Sequence, residues 1–190
     1  NTGVSSGAGW GHSRNHPMGR LYDSCVFRKW KGQDHSRIWF GAAGEWSWSS
    51  GLLSVSFSKG QRYGEVLALE GHPIIDVEQF GTEVCITREN VSQEDYDRAK
   101  TGLDRCAAAV DGRQYHLVVL DEVYVALAFG LLNEGDVVAL MHRVPDDLEL
   151  VLTGRYARER LMEIADLVTD MGEVKHYYSK GIGVRKGIEN

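Results

Sequence analysis

Two carboxylates placed directly after an apolar run are the residues of this chain best suited to chemistry. Residues 116–122 read His-Leu-Val-Val-Leu-Asp-Glu, so Asp121 and Glu122 close a stretch with the continuous apolar character of a strand buried on both faces. A parallel strand of that kind delivers its last residues to the carboxyl edge of the sheet, where α/β proteins bind nucleotides. Acids at that edge could hold Mg2+ on a triphosphate, directly or through water. The alternative is that the pair only caps the next helix. The magnesium reading calls for an earlier glycine-rich phosphate loop of the form G-x-x-x-x-G-K-[ST]. The sequence contains no such loop, and the place for it, Cys25 to Ser50, is rich in tryptophan.

Other candidates follow strand-like runs in the same way. Lys59 and Gly60 come after Leu53–Phe57, and Thr153, Gly154 and Arg155 come after Leu148–Leu152. An arginine there could clasp a phosphate as a planar fork or pair with a surface carboxylate. Lys175 and His176 fall at the end of the last strand candidate, Val174–Tyr177. His72, His116 and His142 have no ligand-like spacing. Cys25, Cys85 and Cys106 lie far apart without a C-x-x-C pair, which disfavours a disulfide framework or structural zinc and makes a reducing cytoplasm the default. Cys85 and Cys106 read as apolar fillers.

The elements that would position these residues alternate between periods. Strand candidates at Leu53–Phe57, Pro73–Gln79, His116–Glu122, Leu148–Leu152 and Val174–Tyr177 are separated by helical patterns. Helices are expected at Tyr63–Glu70, from Ser92 to about Val110, through Tyr124 to Leu131, at Asp136–Arg143 and at Glu159–Val168. Ser92 precedes Glu94 and Asp95, the pattern of an N-cap with acids in the first turn. Pro145 stops the helix before it. Strands alternating with helices predict an α/β fold, three layers with a mostly parallel sheet. Right-handed crossovers then gather the loops that follow the strands on one edge.

A length of 190 residues suits one sizeable core. A net charge of -6 argues against a general nucleic-acid binder, though not against a local phosphate pocket. No apolar run is long enough to span a bilayer, and no signal peptide is expected. The chain divides into residues 1–50, which hold all five tryptophans and show weak apolar periodicity, and residues 51–190, which carry the alternating pattern. On composition the first part reads as a loosely packed or disordered extension.

From about Phe57 onward the chain resembles the ATP:corrinoid adenosyltransferases of the cob(I)alamin type, a P-loop family with a RecA-like fold. The carriers are Phe57-Ser58-Lys59-Gly60 with Gly64-Glu65, Val118 to Glu122, Ala126 to Leu132, Val151 to Arg155, Ala165 to Met171, Val174-Lys175-His176 and Gly187-Ile188-Glu189. Each block is weak alone; the ordered set is specific. The resemblance implies ATP and a corrinoid as substrates, Mg2+ held by Asp121 or Glu122, and a reductant system for cobalt, with Thr153, Gly154 and Arg155 placed for nucleotide contacts; Lys59 and Gly60, after a strand on the same edge, could contact nucleotide or corrinoid or form a plain exposed turn. It also suggests a homodimer. Phe80, Lys175 and His176 fall where corrinoid contacts are expected. The family's aromatic pattern, which displaces the lower cobalt ligand, is absent from Glu83 to Arg88. A non-catalytic corrinoid- or partner-binding module and another P-loop ATPase are the competing readings.

Set beside this family, the tryptophans of the first part have an explanation in the genetic code. Tryptophan has one codon, TGG, and reading one nucleotide later turns it into GG plus a letter, always glycine. Applied from Cys25 to Trp39, the shifted frame permits V-Y-S-G-N-G-K-G-K-T-T-A-A-F-G, a strand end and a phosphate loop. The forced glycines at the places of Trp30, Trp39, Trp46 and Trp48 fall where the family has glycine. The hypothesis is that this segment is a frameshifted translation of a phosphate loop, with the frame restored between Trp48 and Phe57. Sequencing the source DNA from the codon of residue 20 to that of residue 57 is expected to uncover a compensating pair of insertion and deletion; an intact frame refutes it.

Overall fold

The computed structural model describes residues 23–28, 51–57, 64–82, 90–171, 175 and 180–183. Six strands form one sheet: β1 (Asp23–Arg28), β2 (Gly51–Ser56), β3 (Ile75–Gln79), β4 (Tyr115–Asp121), β5 (Glu149–Leu152) and β6 (Leu167–Met171), in the order β3-β2-β4-β5-β1-β6. Among the described residues five helices accompany them: α1 (Gly64–Leu69), α2 (Gln93–Gly112), α3 (Val123–Ala128), α4 (Glu134–Arg143) and α5 (Glu159–Ile164). β3, β2, β4 and β5 are mutually parallel, while β1 runs antiparallel to both β5 and β6. The α/β class and the mostly parallel sheet are those expected from the alternating pattern and fit a P-loop NTPase-like fold.

Alternation along the central strands divides the buried side chains between two faces. Leu53, Val55, Val118, Leu120, Leu150 and Leu152 are all fully buried and join one large cluster. That cluster takes Ala99, Leu103, Cys106 and Val110 from α2, Tyr124 and Leu127 from α3, Val137 and Met141 from α4, and Leu161 from α5. The intervening residues Leu117 and Val151 form a smaller group with half-buried Leu52, Val119 and Leu167. Cys106 is the filler its surroundings predict: burial pushes its thiol up to about 12.

Two stretches depart from the sequence expectation. The helix expected over Glu159–Val168 ends at Ile164, because Ala165 turns to an extended conformation (φ -77°, ψ 148°), and Leu167–Met171 becomes β6. Leu167, Val168 and Thr169 suit a strand, but their hydrogen-bonding partner is β1, in a segment where composition signalled no strand. The strand expected at Val174–Tyr177 is not seen at Lys175, which is exposed and outside the sheet; Val174, His176 and Tyr177 lie outside the described residues. The helix expected through Leu131 closes earlier, at Ala128, and Gly130 then takes a left-handed turn (φ 75°).

The capping expectation at Ser92 holds in detail. The Asp95 N–H donates to the Ser92 hydroxyl at 3.3 Å, and the Ser92 N–H donates back to Asp95 Oδ2 at 2.8 Å, a capping box built with aspartate. The Ser92 hydroxyl donates to the same oxygen at 2.7 Å, and that of Thr82 donates to Oδ1 at 3.2 Å. The Ser92 hydroxyl is the main reason the Asp95 carboxyl sits below its usual range, opposed by desolvation and aided by the Ser92 N–H, Thr82 and Arg98. A carboxyl lowered in the folded state adds stability above its unfolded pKa and loses it as pH falls through the folded value. Ser92→Ala is therefore expected to cost about 1 kcal/mol in urea unfolding at pH 7. The difference should begin to shrink as pH falls below about 4 and vanish only once pH has passed the lowered folded value, where Asp95 takes up its proton.

Candidate functional site at the carboxyl edge of the sheet

Parallel register fixes which residues meet at the rim. Ser56 lies across from Asp121 in the β2–β4 pairing, and Leu120 lies across from Leu152 in the β4–β5 pairing. Backbone bonds continue past the strands. The Phe80 N–H donates to the Ser56 carbonyl at 2.9 Å, that of Phe57 to Asp121 at 2.9 Å, and that of Thr153 to Leu120 at 3.0 Å. The Tyr124 N–H donates more weakly to the Thr153 carbonyl at 3.4 Å. The ends of β3, β2, β4 and β5 thus form one hydrogen-bonded edge.

The acids stand on this edge. The Thr153 hydroxyl donates to Asp121 Oδ1 at 2.8 Å, and the Ser56 hydroxyl donates to Oδ2 at the longer distance of 3.3 Å. The Thr153 hydroxyl also accepts the Glu122 N–H at 3.0 Å. Its single proton is thus committed to Asp121. Thr153, expected from the resemblance to touch nucleotide, here braces the backbone of one acid and the carboxylate of the other. Among the described residues Asp121 has no cationic partner.

Glu122 takes a left-handed conformation (φ 60°, ψ 22°) at the start of α3, and its side chain makes no capping bond. A non-glycine residue in that region costs of order 1–3 kcal/mol and persists where surroundings enforce it. Here the Thr153 hydroxyl and the bonds from Val125 and Ala126 to the Glu122 carbonyl enforce it. Gly154 explains the close approach. A Cβ there would stand 3.1 Å from Glu122 Oε2 and 3.2 Å from its Cα, and its own φ of 124° favours glycine.

The remaining site expectations are distributed unevenly. Arg155 is exposed on the same loop, followed by Tyr156 at φ 68°. Phe80 is half-buried and packs on the large cluster, where a Cβ on Gly102 of α2 would meet its ring at 3.0 Å and that of Phe57 at 3.0 Å. Lys175 is exposed. Lys59, Gly60 and His176 lie outside the described residues. Sequence reasoning passed over Ser56; the available signal was one small hydroxyl closing the Leu-Leu-Ser-Val-Ser-Phe run, level with the acids of the neighbouring strand. Among the described residues no three His, Cys, Asp or Glu side chains converge on a point that could hold a metal. Mg2+ binds through one or two carboxylates plus water and phosphate rather than a protein cage. The Asp121 carboxylate, with one bond on each oxygen and lone pairs to spare, fits that role.

A mostly parallel sheet with an acid pair on its carboxyl rim is that of an α/β protein whose ligands meet the strand ends, consistent with a P-loop NTPase-like fold. The model of the ATP:corrinoid adenosyltransferase BtuR/CobO/CobP family matches residues 41–190, and this chain belongs to that family. Its relatives include an uncharacterised protein of Nostoc sp., 33% identical over 67% of this chain and 36% of the relative. A corrinoid adenosyltransferase of Sinorhizobium sp. is 34% identical over 71% of this chain and 64% of its own length. One of Pseudomonas aeruginosa is 31% identical over 77% and 78%. The chain thus spans about a third and just under two thirds of the first two relatives.

Replacing Gly154 by alanine is expected to push Glu122 out of place and to destabilise the fold by about 1–3 kcal/mol in denaturant unfolding. Thr153→Val, which removes both bonds to the acids, should cost about 1–2 kcal/mol, whereas Thr153→Ser should stay close to the unsubstituted chain. Equal stability of the valine and serine chains would show that the brace carries no weight.

Proposed function

We propose that this chain is built for corrinoid adenosylation, transfer of the 5′-deoxyadenosyl group of ATP to reduced cobalt, and that its phosphate-binding half is impaired. The observation that carries the first part is the acid pair on the rim within a family match over residues 41–190. Co(I) of the corrinoid supplies an electron pair to the 5′ carbon of ATP, the carbon–oxygen bond breaks, and triphosphate leaves with that bond's electrons. The protein provides no nucleophile of its own. Its task is to align two substrates, stabilise charge on the departing triphosphate and exclude water.

Asp121, with Glu122 beside it, would hold Mg2+ against the triphosphate; bound there, the ion neutralises charge on the leaving group. Thr153 and Gly154 set the two acids in place, and Arg155 reaches phosphate from the adjoining loop. Lys59 and Gly60 would add nucleotide contacts, and Phe80, Lys175 and His176 would serve the corrinoid. An external reductant keeps cobalt as Co(I). A homodimer in the cytoplasm is the expected setting. No helix among the described residues is long and apolar enough to cross a membrane.

Impairment rests on two features. The sequence from Cys25 to Ser50 holds no G-x-x-x-x-G-K-[ST] motif, and bulky residue types such as Phe27, Trp30 and Trp39 occur there instead. A phosphate loop needs successive backbone N–H groups free to point at oxygen, beside a lysine. The second feature is direction. Val26 pairs with Leu152 and Arg28 with Leu150, so β1 leaves the sheet toward the edge opposite the acids. This direction also favours the second reading, a non-catalytic corrinoid- or partner-binding module.

Calorimetric titration with MgATP is expected to give no micromolar binding to this chain. A chain with the shifted frame restored from Cys25 through Trp48, beginning V-Y-S-G-N-G-K-G-K-T-T-A-A-F-G, should bind and should form adenosylcobalamin under strong reduction, followed by its visible spectrum. Micromolar affinity in the present chain refutes the impairment. Failure of the repaired chain to adenosylate refutes the activity and leaves the binding module.

A further inference from the structure

We propose that Ser56 is a positioning residue for this site, holding the Asp121 carboxylate plane in the orientation that presents it to a divalent cation; the proposal rests on the reading of Asp121 as the metal-side acid. Strand β4 carries Asp121 between two parallel neighbours, and each neighbour contributes a hydroxyl at the same level. Thr153, just past β5, donates to Oδ1 at 2.8 Å, and Ser56, the last residue of β2, donates to Oδ2 at 3.3 Å. Ser56 is buried, at 7% exposure, and sits directly across from Asp121 in the strand register.

A carboxylate held at one oxygen can still swing about its Cβ–Cγ bond, a broad torsion with little intrinsic preference. Held at both oxygens, from opposite sides, its plane is fixed. Each oxygen accepts one hydroxyl and keeps lone-pair capacity for a ligand. Thr153 makes the shorter and stronger bond and also serves the Glu122 backbone, so its replacement disturbs two residues together. Ser56 makes the longer one, and its effect on the site passes through the Asp121 carboxylate. A moderate loss of affinity is therefore expected on its removal.

The test is a titration of the full chain with Mn2+ alone, followed by loss of the free-ion electron paramagnetic resonance signal, in parallel with thermal unfolding. Ser56→Ala should weaken Mn2+ binding about three- to fivefold, Ser56→Thr should stay near the unsubstituted chain, and Asp121→Asn should remove most of the binding. A merely structural serine would lower the unfolding midpoint and leave Mn2+ affinity of the folded protein unchanged. If Ser56→Ala binds like the unsubstituted chain while Asp121→Asn does not, the positioning role is overturned and the reading of Asp121 stands. If Asp121→Asn keeps full affinity, the metal reading fails and the proposal falls with it. Should the alanine chain not fold, Ser56→Cys, a weak donor of similar shape, is judged by the same criterion.

Discussion

Everything at the candidate site depends on the parallel register of β2, β4 and β5. Parallel pairing puts Ser56 and Asp121 level with each other and brings Thr153 up beside Asp121, with no help from loop conformation. What keeps the strands in register is burial: Leu53, Val55, Val118, Leu120, Leu150 and Leu152 share one cluster beneath α2, α3 and α4. Burying a side chain of this size contributes about 1.5–3 kcal/mol, and a slip by one residue would turn each to the wrong face. The hydroxyl bonds on the rim, individually worth about 1 kcal/mol, could not impose that register. They are a consequence of it, and they convert a packing arrangement into a chemical one.

A second layer of constraint acts where β4 hands over to α3. The chain reverses within Glu122, whose left-handed conformation opens α3 and turns the backbone back over the sheet. Such a turn stays close-packed only if the neighbouring loop is thin, and Gly154 makes it so. The strain at Glu122 and the bareness of Gly154 are two sides of one contact. This gives the Thr-Gly-Arg segment a role that residue type alone did not disclose. Its threonine and glycine face the acids, and its arginine is exposed.

The sequence disclosed the parts that follow from local pattern. The acid pair after a buried strand, the Ser92 cap, the long α2 and the strands β2 to β5 are each written in a short window of polarity or turn chemistry. The parts it hid depend on distant partners. Leu167–Met171 was indistinguishable from the end of an amphipathic helix because its strand partner, β1, lies in a stretch whose composition gave no strand signal. Ser56 was passed over because a serine closing a strand is ordinary; its meaning comes from Asp121, 65 residues away in the chain. Phe80 drew notice as an aromatic near an expected ligand, while its ring is set on Gly102 beside Phe57, a contact visible only once α2 crosses the sheet.

The direction of β1 separates the two halves that a triphosphate site needs. The proposed grip on a cation would use the ends of β2, β4 and β5, and of these only β5 touches β1. Reversing β1 therefore leaves Asp121, Ser56 and Thr153 where they are. The cradle for the phosphates has no such independence. It must start from the carboxyl end of a strand running with the others, so that its amide groups emerge on the same edge as the acids. Here β1 ends beside Leu150 and β2 begins beside Tyr115, both on the opposite edge. The acids thus depend on the packed strands β2, β4 and β5 and not on the direction of β1, because packing of the large cluster holds those strands in register.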